Sequence, residues 1–397
     1  MPPDPALWDN PLVHVLWLPS WYPTDREDLA GSFFREQTTA LAASGMTVGV
    51  LAPYIRTIKG ESPVPPYSGQ IIDEDGVRIL RFGAQGALLS TRRLTTAMAT
   101  APLMRAFSAY CDARGRPDFI HAHSLFPGGH LAAILSKKTG IPWGLTEHRS
   151  LDHLPIRSSR AHRHEQRILK SATFRSAVSP GHARHLEQRF GRASGPWIVT
   201  PNLLSTVPQP ESWGPIHPPI IGHLSHLDPG KKVDLLIRAF GTVAEYDPTI
   251  RLRIAGPLDT PAGQAVHDQV QESPYRDRIE LIGRVEREQV PQFMEDVSVF
   301  ALPSESETFG VVLVEALAMG TPVVATRTWG AEGIIDTGDG YIVDLNDEEG
   351  FASALARIIT DPSTPQERQE RSSRCIARFG EAAFATRWEK IYTESIR

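Results

Sequence analysis

Two carboxylates sit eight residues apart in the stretch SESETFGVVLVEALAMGTPVVAT, residues 304–326: Glu307 and Glu315. From Phe309 to Met319 the only charge is Glu315, and apolar residues flank it on every face. Its helix is therefore expected to be buried. A buried carboxylate is costly unless donors meet it. Those donors are either a basic side chain or the hydroxyls of a ligand, and a sugar ring presents neighbouring hydroxyls. The helix is predicted to begin near Phe309, so the amides of Phe309, Gly310 and Val311 lack intrahelical partners. Gly310 allows close approach to the backbone, and a helix N-terminus favours a phosphate. Glu307, just before it, either complements the helix dipole or grips a ligand.

Other chemistry-bearing groups read more plainly. Asp73-Glu74-Asp75 has the look of a metal-binding Asp-x-Asp, but Asp75-Gly76 is a good turn and the turn is preferred. His121 and His123 share one face of a strand. No third zinc ligand is obvious, so a structural or acceptor-site role is expected and no metal is. His162 and His164 read as solvent-facing. There is no Gly-x-Gly-x-x-Gly after the first strand, no Walker sequence and no nucleic-acid motif with interleaved aromatics.

The 397 residues suit two domains. Residues 1–205 carry 23 Lys+Arg against 16 Asp+Glu, and residues 206–397 carry 18 against 30, which predicts two different surfaces. Between Arg149 and Arg192 there are ten Lys/Arg and three Asp/Glu. A solvated helical face is the preferred reading of that excess, with contact to an acidic acceptor or an anionic membrane surface left open. Cys111 and Cys375 form no disulfide framework, which points to a reducing compartment. No signal peptide and no membrane span are read in the chain. The expected location is cytoplasmic, with a peripheral position at the inner face of a membrane as the open variant.

Strand and helix patterns alternate along the chain. LVHVLWLP (12–19), a helix at 33–45 and TVGVLAP (47–53) form a βαβ unit, which implies parallel strands. Residues 71–82 read as two short strands turning at Asp75-Gly76. A helix follows with Pro102 as a kink or break, then strands at 118–123, 141–148, 174–180 and 197–202, with a basic helix over 157–172. The segment 203–219 carries five prolines and marks a boundary. A second α/β pattern then restarts. The predicted domains are 1–205, 206–380 and a C-terminal helix, 381–397, crossing back to the first. Two doubly wound domains would face each other across a cleft, with ligands outside the carboxyl ends of the strands.

The string Pro303-Ser304, Glu307, Phe309-Gly310, Glu315-Ala316 and Gly320-x-Pro322-Val323-Val324 resembles the signature of retaining glycosyltransferases of family four, whose fold is GT-B. The resemblance covers nearly the whole chain. The segment LPSWYPTDREDLAGSFFREQ is similar to the family's first loop and helix, and implies that Gly31 approaches the donor diphosphate. LTEHRS matches a Thr-x-His segment, which implies a catalytic role for His148 near the donor sugar. IIGHLSHLDPGKKVDLLIRAF resembles the opening of the second domain, which implies that Lys231 contacts the diphosphate. IELIGRV implies weaker base contacts from Arg284 and Val285. His223, Ser304, Glu307, Phe309, Gly310, Val311 and Glu315 would complete the donor site, with Glu307 on the donor sugar and Glu315 on the ribose, buried because its partners arrive with the ligand.

The chain departs from the family pattern at two positions. His223 stands where an Arg usually pairs with Lys231, and near neutral pH a His is only partly charged. Lys232 stands where a Gly usually follows the Lys. The resemblance implies transfer of a sugar, with retention, from a UDP- or GDP-sugar to a hydroxyl of a glycan, glycolipid or small glycoside. It implies no metal and no cofactor beyond that co-substrate. A nucleotide-sugar epimerase or phosphorylase of the same fold, and a non-catalytic sugar-nucleotide binder, are the alternatives. Acceptor contacts are expected in the loops 54–70, 83–95 and 149–165.

Overall fold

The computed structural model describes residues 13–24, 28, 31–57, 71–86, 92–151, 159–205 and 210–396. Most of the acceptor loops named above, over 58–70, 87–91 and 152–158, fall outside these residues, as does part of the proline-rich segment, 206–209. The chain divides into two compact units. The first comprises Met1–Val178, Ala183–Ser205 and Glu381–Arg397; the second comprises Ser179–His182 and Thr206–Gly380. No pattern in the sequence marked the short piece Ser179–His182, which groups with the second unit.

Among the described residues, the first unit carries eight strands: β1 (His14–Pro19), β2 (Thr47–Thr57), β3 (Ile71–Glu74), β4 (Val77–Gly86), β5 (Phe119–His123), β6 (Trp143–Glu147), β7 (Arg175–Ala177) and β8 (Ile198–Val199). Their order is β3-β4-β2-β1-β5-β6-β7-β8. All neighbours run parallel except β3 and β4, which are antiparallel. The β3–β4 turn places Asp75 at φ 51° and Gly76 at φ 82°, the left-handed pair a tight hairpin needs. Asp73 accepts from Arg78 at 2.8 Å and Glu74 from Arg35 at 3.2 Å, so both carboxylates brace the hairpin and its neighbouring helix.

Parallel strands covered on both faces read as continuous apolar runs, and β1 shows why. Leu16 and Leu18 enter one core, with Leu51, Ile120 and Leu145. Val15 and Trp17 enter the other, with Val48, Val50 and Phe34. The helix Arg92–Arg114 continues through Pro102, where a kink or break was expected, so the break is not found. Seven buried residues from Thr95 to Tyr110 hold it against the sheet, and that packing outweighs the one backbone bond a proline removes. The strand expected over 197–202 shrinks to Ile198 and Val199, an exposed edge.

The C-terminal helix Glu381–Ile396 buries Phe384, Trp388 and Tyr392 in the second of these cores. Tyr392 is fully buried, and its hydroxyl lies 2.7 Å from His121 Nδ1 and accepts from Trp17 Nε1 at 3.2 Å.

The second unit carries β9 (Ile220–Leu224), β10 (Arg251–Ala255), β11 (Ile279–Gly283), β12 (Val299–Leu302), β13 (Val323–Thr326) and β14 (Gly340–Val343), all parallel, in the order β11-β10-β9-β12-β13-β14. The strand order reverses at β9 and β12, the place where an open α/β sheet leaves a crevice at its carboxyl edge.

Removing the Tyr392 hydroxyl strands two buried polar groups. Tyr392→Phe is expected to lower stability by about 1–3 kcal/mol, read from urea unfolding. An unchanged midpoint and slope would show that the hydroxyl carries no anchoring role.

Candidate active site

In the second unit the chain leaves β12 at Leu302, passes Pro303 and Ser304, and enters the helix Val311–Ala318. The helix starts two residues later than expected. Gly310 is its N-terminal flanking residue at φ 91°, a left-handed conformation that explains the glycine. No side chain caps this end. Phe309 is not a surface residue: its ring is buried against Phe379, centroids 5.8 Å apart, and only its backbone belongs to the loop. Val311 is half-buried at the first helical position.

Glu307 projects from this loop to meet Lys231, Nζ to Oε1 2.6 Å, and its Oε1 also accepts from Ser304 Oγ at 2.9 Å. Lys231 ends the short turn Pro229–Lys231, which Asp228 caps by accepting from the Gly230 amide at 3.0 Å. The Glu305 amide donates to the Gly230 carbonyl at 2.8 Å, tying the two loops together. The Glu307 carbonyl accepts from the Gly330 amide at 2.9 Å, and Ser179 Oγ donates to the Thr308 carbonyl at 2.7 Å. A lysine, a glutamate, a serine and the helix amides thus share one edge of the sheet.

Glu315 is 7% exposed, and its carboxylate pairs with the Arg287 guanidinium. The donor that burial demands is present in the chain itself, which corrects the expectation that the partners of Glu315 arrive only with the ligand. Arg287 lies three residues past Arg284 in the turn Arg287–Gln289, and no motif singled it out. Arg284 is exposed and bonds Asp259 at 3.0 Å, and Val285 is half-buried beside it.

His223 corrects an expectation. Its ring is fully buried, with Nδ1 2.9 Å from the Ala301 carbonyl and Nε2 2.8 Å from Ser225 Oγ. Burial pulls its pKa from 6.5 down to about 4, against the Ala301 bond, with Lys231 adding to the fall. At neutral pH it is an uncharged bridge between β9 and β12, not a partial stand-in for an arginine. Ser225, which His223 holds, in turn accepts from the Leu227 amide at 3.0 Å and shapes the loop leading to Lys231. Lys232, in place of the usual glycine, sits at φ 51°, where a glycine would carry no strain.

In the first unit, His148 follows the last residue of β6 and His123 ends the neighbouring β5. His123 Nδ1 lies 3.0 Å from His148 Nε2. His123 is buried against Trp17, ring centroids 3.8 Å apart, and the His148 ring stands edge-on to Phe34 at 5.1 Å. His121 spends both nitrogens on hydroxyls, Tyr392 and, at 2.8 Å, Thr146. Burial holds both His121 and His123 well below 6.5, so both are neutral. Gly31 flanks the helix Ser32–Ala43 at φ 85°, and a Cβ there would stand 2.7 Å from the Trp21 ring.

The sequence missed Glu147. It is 1% exposed, and its carboxylate accepts from the amides of Leu125 at 2.7 Å, His148 at 3.0 Å and Arg149 at 3.0 Å. One carboxylate therefore pins the loops after β5 and β6 together and fixes the backbone at His148. Its place inside Thr146-Glu147-His148 was visible, but nothing in the spacing distinguished it from a surface glutamate.

Residues 211–374 match the family model described as "Glycosyl transferases group 1", and residues 30–202 match "Glycosyl transferase 4-like domain". A D-inositol 3-phosphate glycosyltransferase from Corynebacterium efficiens is 30% identical over 188 residues, which cover 46% of this chain and 44% of that protein. The chain thus spans less than half the length of this curated relative. Among solved structures, the sucrose-phosphate synthase of Thermosynechococcus elongatus aligns over 96% of this chain and 98% of its own, with a TM-score of 0.73 at 22% identity. Anabaena Alr3699/HepE, solved in complex with UDP and glucose, aligns over 96% of this chain and 100% of its own, with a TM-score of 0.69 at 18% identity. Both share the fold. No helix among the described residues is long and apolar enough to cross a membrane.

The buried neutral state of His223 has a pH signature. A histidine whose folded pKa lies below its unfolded value stabilises the fold fully above pH 6.5, and that contribution is lost as pH falls towards about 4. Relative to wild type, His223→Gln is expected to flatten the loss of stability across this window, by on the order of 3 kcal/mol. Parallel pH profiles in urea unfolding would refute the assignment.

Proposed function

The chain belongs to the GT-B glycosyltransferases of family-four type, and from that premise we propose that it moves a sugar from a nucleotide-diphosphate sugar to an acceptor hydroxyl, with retention of anomeric configuration. The observation that carries the reading is the Lys231–Glu307 contact of 2.6 Å beside Ser304 and the helix amides after Gly310. These groups offer a cation, a hydrogen-bond acceptor and backbone donors at one sheet edge, the set that a diphosphate and a sugar together require.

In the proposed reaction the bond from the anomeric carbon to the diphosphate breaks, and negative charge grows on the leaving group. Lys231 and the amides near Val311 stabilise that charge, with no metal and no further cofactor. The acceptor oxygen bonds to the anomeric carbon on the face the leaving group vacates, and its proton passes to a phosphate oxygen of the leaving nucleotide. Glu307, held by Lys231 before the donor arrives, takes the sugar hydroxyls as the diphosphate engages the lysine. Glu315 and Arg287 face the ribose end, with Arg284 and Val285 towards the base. His148, oriented by His123 and by the Glu147 clamp, contacts the donor sugar. Gly31 gives the diphosphate room.

The donor is a UDP- or GDP-sugar, and the acceptor a hydroxyl of a carbohydrate, glycolipid or small glycoside. The proposed place of action is the cytoplasm, with peripheral contact to the inner face of the membrane. The helix Ser159–Ser171, which exposes Arg160, Arg163, Arg167 and Lys170, supports that contact. One observation favours a second reading, a non-catalytic sugar-nucleotide binder: the neutral His223 leaves the diphosphate one cation poorer than the family pattern.

Lys231→Ala and Glu307→Gln are each expected to lower turnover at least about a hundredfold, measured as nucleoside diphosphate release from a panel of UDP- and GDP-sugars with mixed acceptors. Near-normal turnover in both variants sinks the assignment. Nucleotide binding without release from any donor, in wild type as in His148→Ala, would establish the non-catalytic reading.

A further inference from the structure

The chain leaves the first unit at Val178, passes through the second for Ser179–His182 and returns to the first at Ala183. Ser179 directly precedes the helix Pro180–Phe190. It is 2% exposed, and its hydroxyl serves two neighbours. It accepts from the His182 amide at 3.4 Å, the bond of a residue that caps a helix, and donates to the Thr308 carbonyl at 2.7 Å. Thr308 lies 129 residues further along the chain, beside Glu307.

Packing holds this short piece where the Thr308 bond forms. A Cβ on Gly181 would stand 2.8 Å from the Trp329 side chain, and one on Gly333 would stand 3.0 Å from Pro180 Cδ and 3.3 Å from Ser179 Cβ. Two positions without side chains thus bring Ser179–Gly181 onto the helix Trp329–Ile334. That helix also meets the loop directly. The Gly330 amide donates to the Glu307 carbonyl at 2.9 Å, and a Cβ on Gly330 would overlap the Phe309 carbonyl oxygen.

Two successive carbonyls of the loop, those of Glu307 and Thr308, are therefore held by fixed donors. In a trans peptide the N–H points opposite to the C=O, and the Thr308–Phe309 bond is trans. Pinning the Thr308 carbonyl to Ser179 aims the Phe309 amide away from Ser179, and no acceptor for that amide is found among the described residues. The same two bonds fix the backbone from which the Glu307 side chain projects to Lys231.

We propose that Ser179 is a positioning residue of the donor site, holding the Glu307 carboxylate and the Phe309 amide, through the Thr308 carbonyl, in the orientation that the donor sugar requires. The inference rests on the sugar-transfer reading above. Ser179 acts through its neighbours rather than on the substrate.

Two variants of the full chain separate this role from that of a helix cap. Glycine before a helix caps almost as well as serine, so Ser179→Gly removes the donor and spares the cap, whereas Ser179→Ala removes both. Turnover is read as nucleoside diphosphate release from the panel of UDP- and GDP-sugars with mixed acceptors, and nucleotide affinity by titration calorimetry with UDP and GDP. Both variants are expected to lower kcat about ten- to a hundredfold, the cost of a misplaced group. Their Kd for UDP or GDP is expected to stay within about threefold of wild type, which also shows that they fold. The proposal is overturned if Ser179→Ala keeps near-normal kcat, or if Ser179→Gly does so while Ser179→Ala is slow, the pattern of a cap alone. It is also overturned if kcat and nucleotide affinity fall together, the pattern of a disturbed fold. A wild-type chain that releases no nucleotide from any donor refutes the transferase reading itself, and the proposal falls with it.

Discussion

A carboxylate withdrawn from water must be met by donors, and this molecule meets that requirement differently at each of three carboxylates: one at the end of β6, one in the loop after β12 and one in the helix that follows it. Glu147 is answered by backbone amides, Glu307 by a lysine and a serine, and Glu315 by an arginine. The choice of donor decides what each can do. Backbone amides cannot be displaced without unfolding their loops, so Glu147 is structural and the chain at His148 is fixed through it. A lysine and a serine hydroxyl can turn to new partners, so the Glu307 pair can open to a ligand without leaving either charge unsatisfied. Arg287, part exposed while Glu315 is buried, gives the helix Val311–Ala318 a partner whose far side still faces outward.

Much of this was legible because burial on both faces of a parallel sheet writes long apolar runs. LVHVLWLP and TVGVLAP announce β1 and β2, and Asp75-Gly76 announces a hairpin by the conformations it tolerates. Glu315 was legible as a charge in a helix with no polar face. What stayed hidden was every partner supplied from a distance in sequence. Arg287 lies 28 residues from Glu315, and Glu147 reaches 22 residues back to Leu125. Neither separation has a periodic signature. At Pro102 the local cost was visible, while the sheet contacts that carry the helix through it were not.

His223 shows how one substitution changes the logic of a site rather than its strength. An arginine at that position would bring a permanent charge to a point with no exposure, between the Ala301 carbonyl and Ser225. The histidine brings none, and its two nitrogens instead join β12 to the loop that carries Lys231. Cationic character at the sheet edge is thereby concentrated on Lys231, whose charge is already opposed by Glu307. In the proposed reaction a diphosphate entering this edge would have to draw the lysine away from a carboxylate, at little net cost only when sugar hydroxyls arrive to replace the lysine on Glu307. Diphosphate alone pays for breaking the pair and returns less. On the proposed function the arrangement would tie binding of the phosphates to binding of the sugar, so that a complete nucleotide sugar would gain more from this site than the sum of its halves.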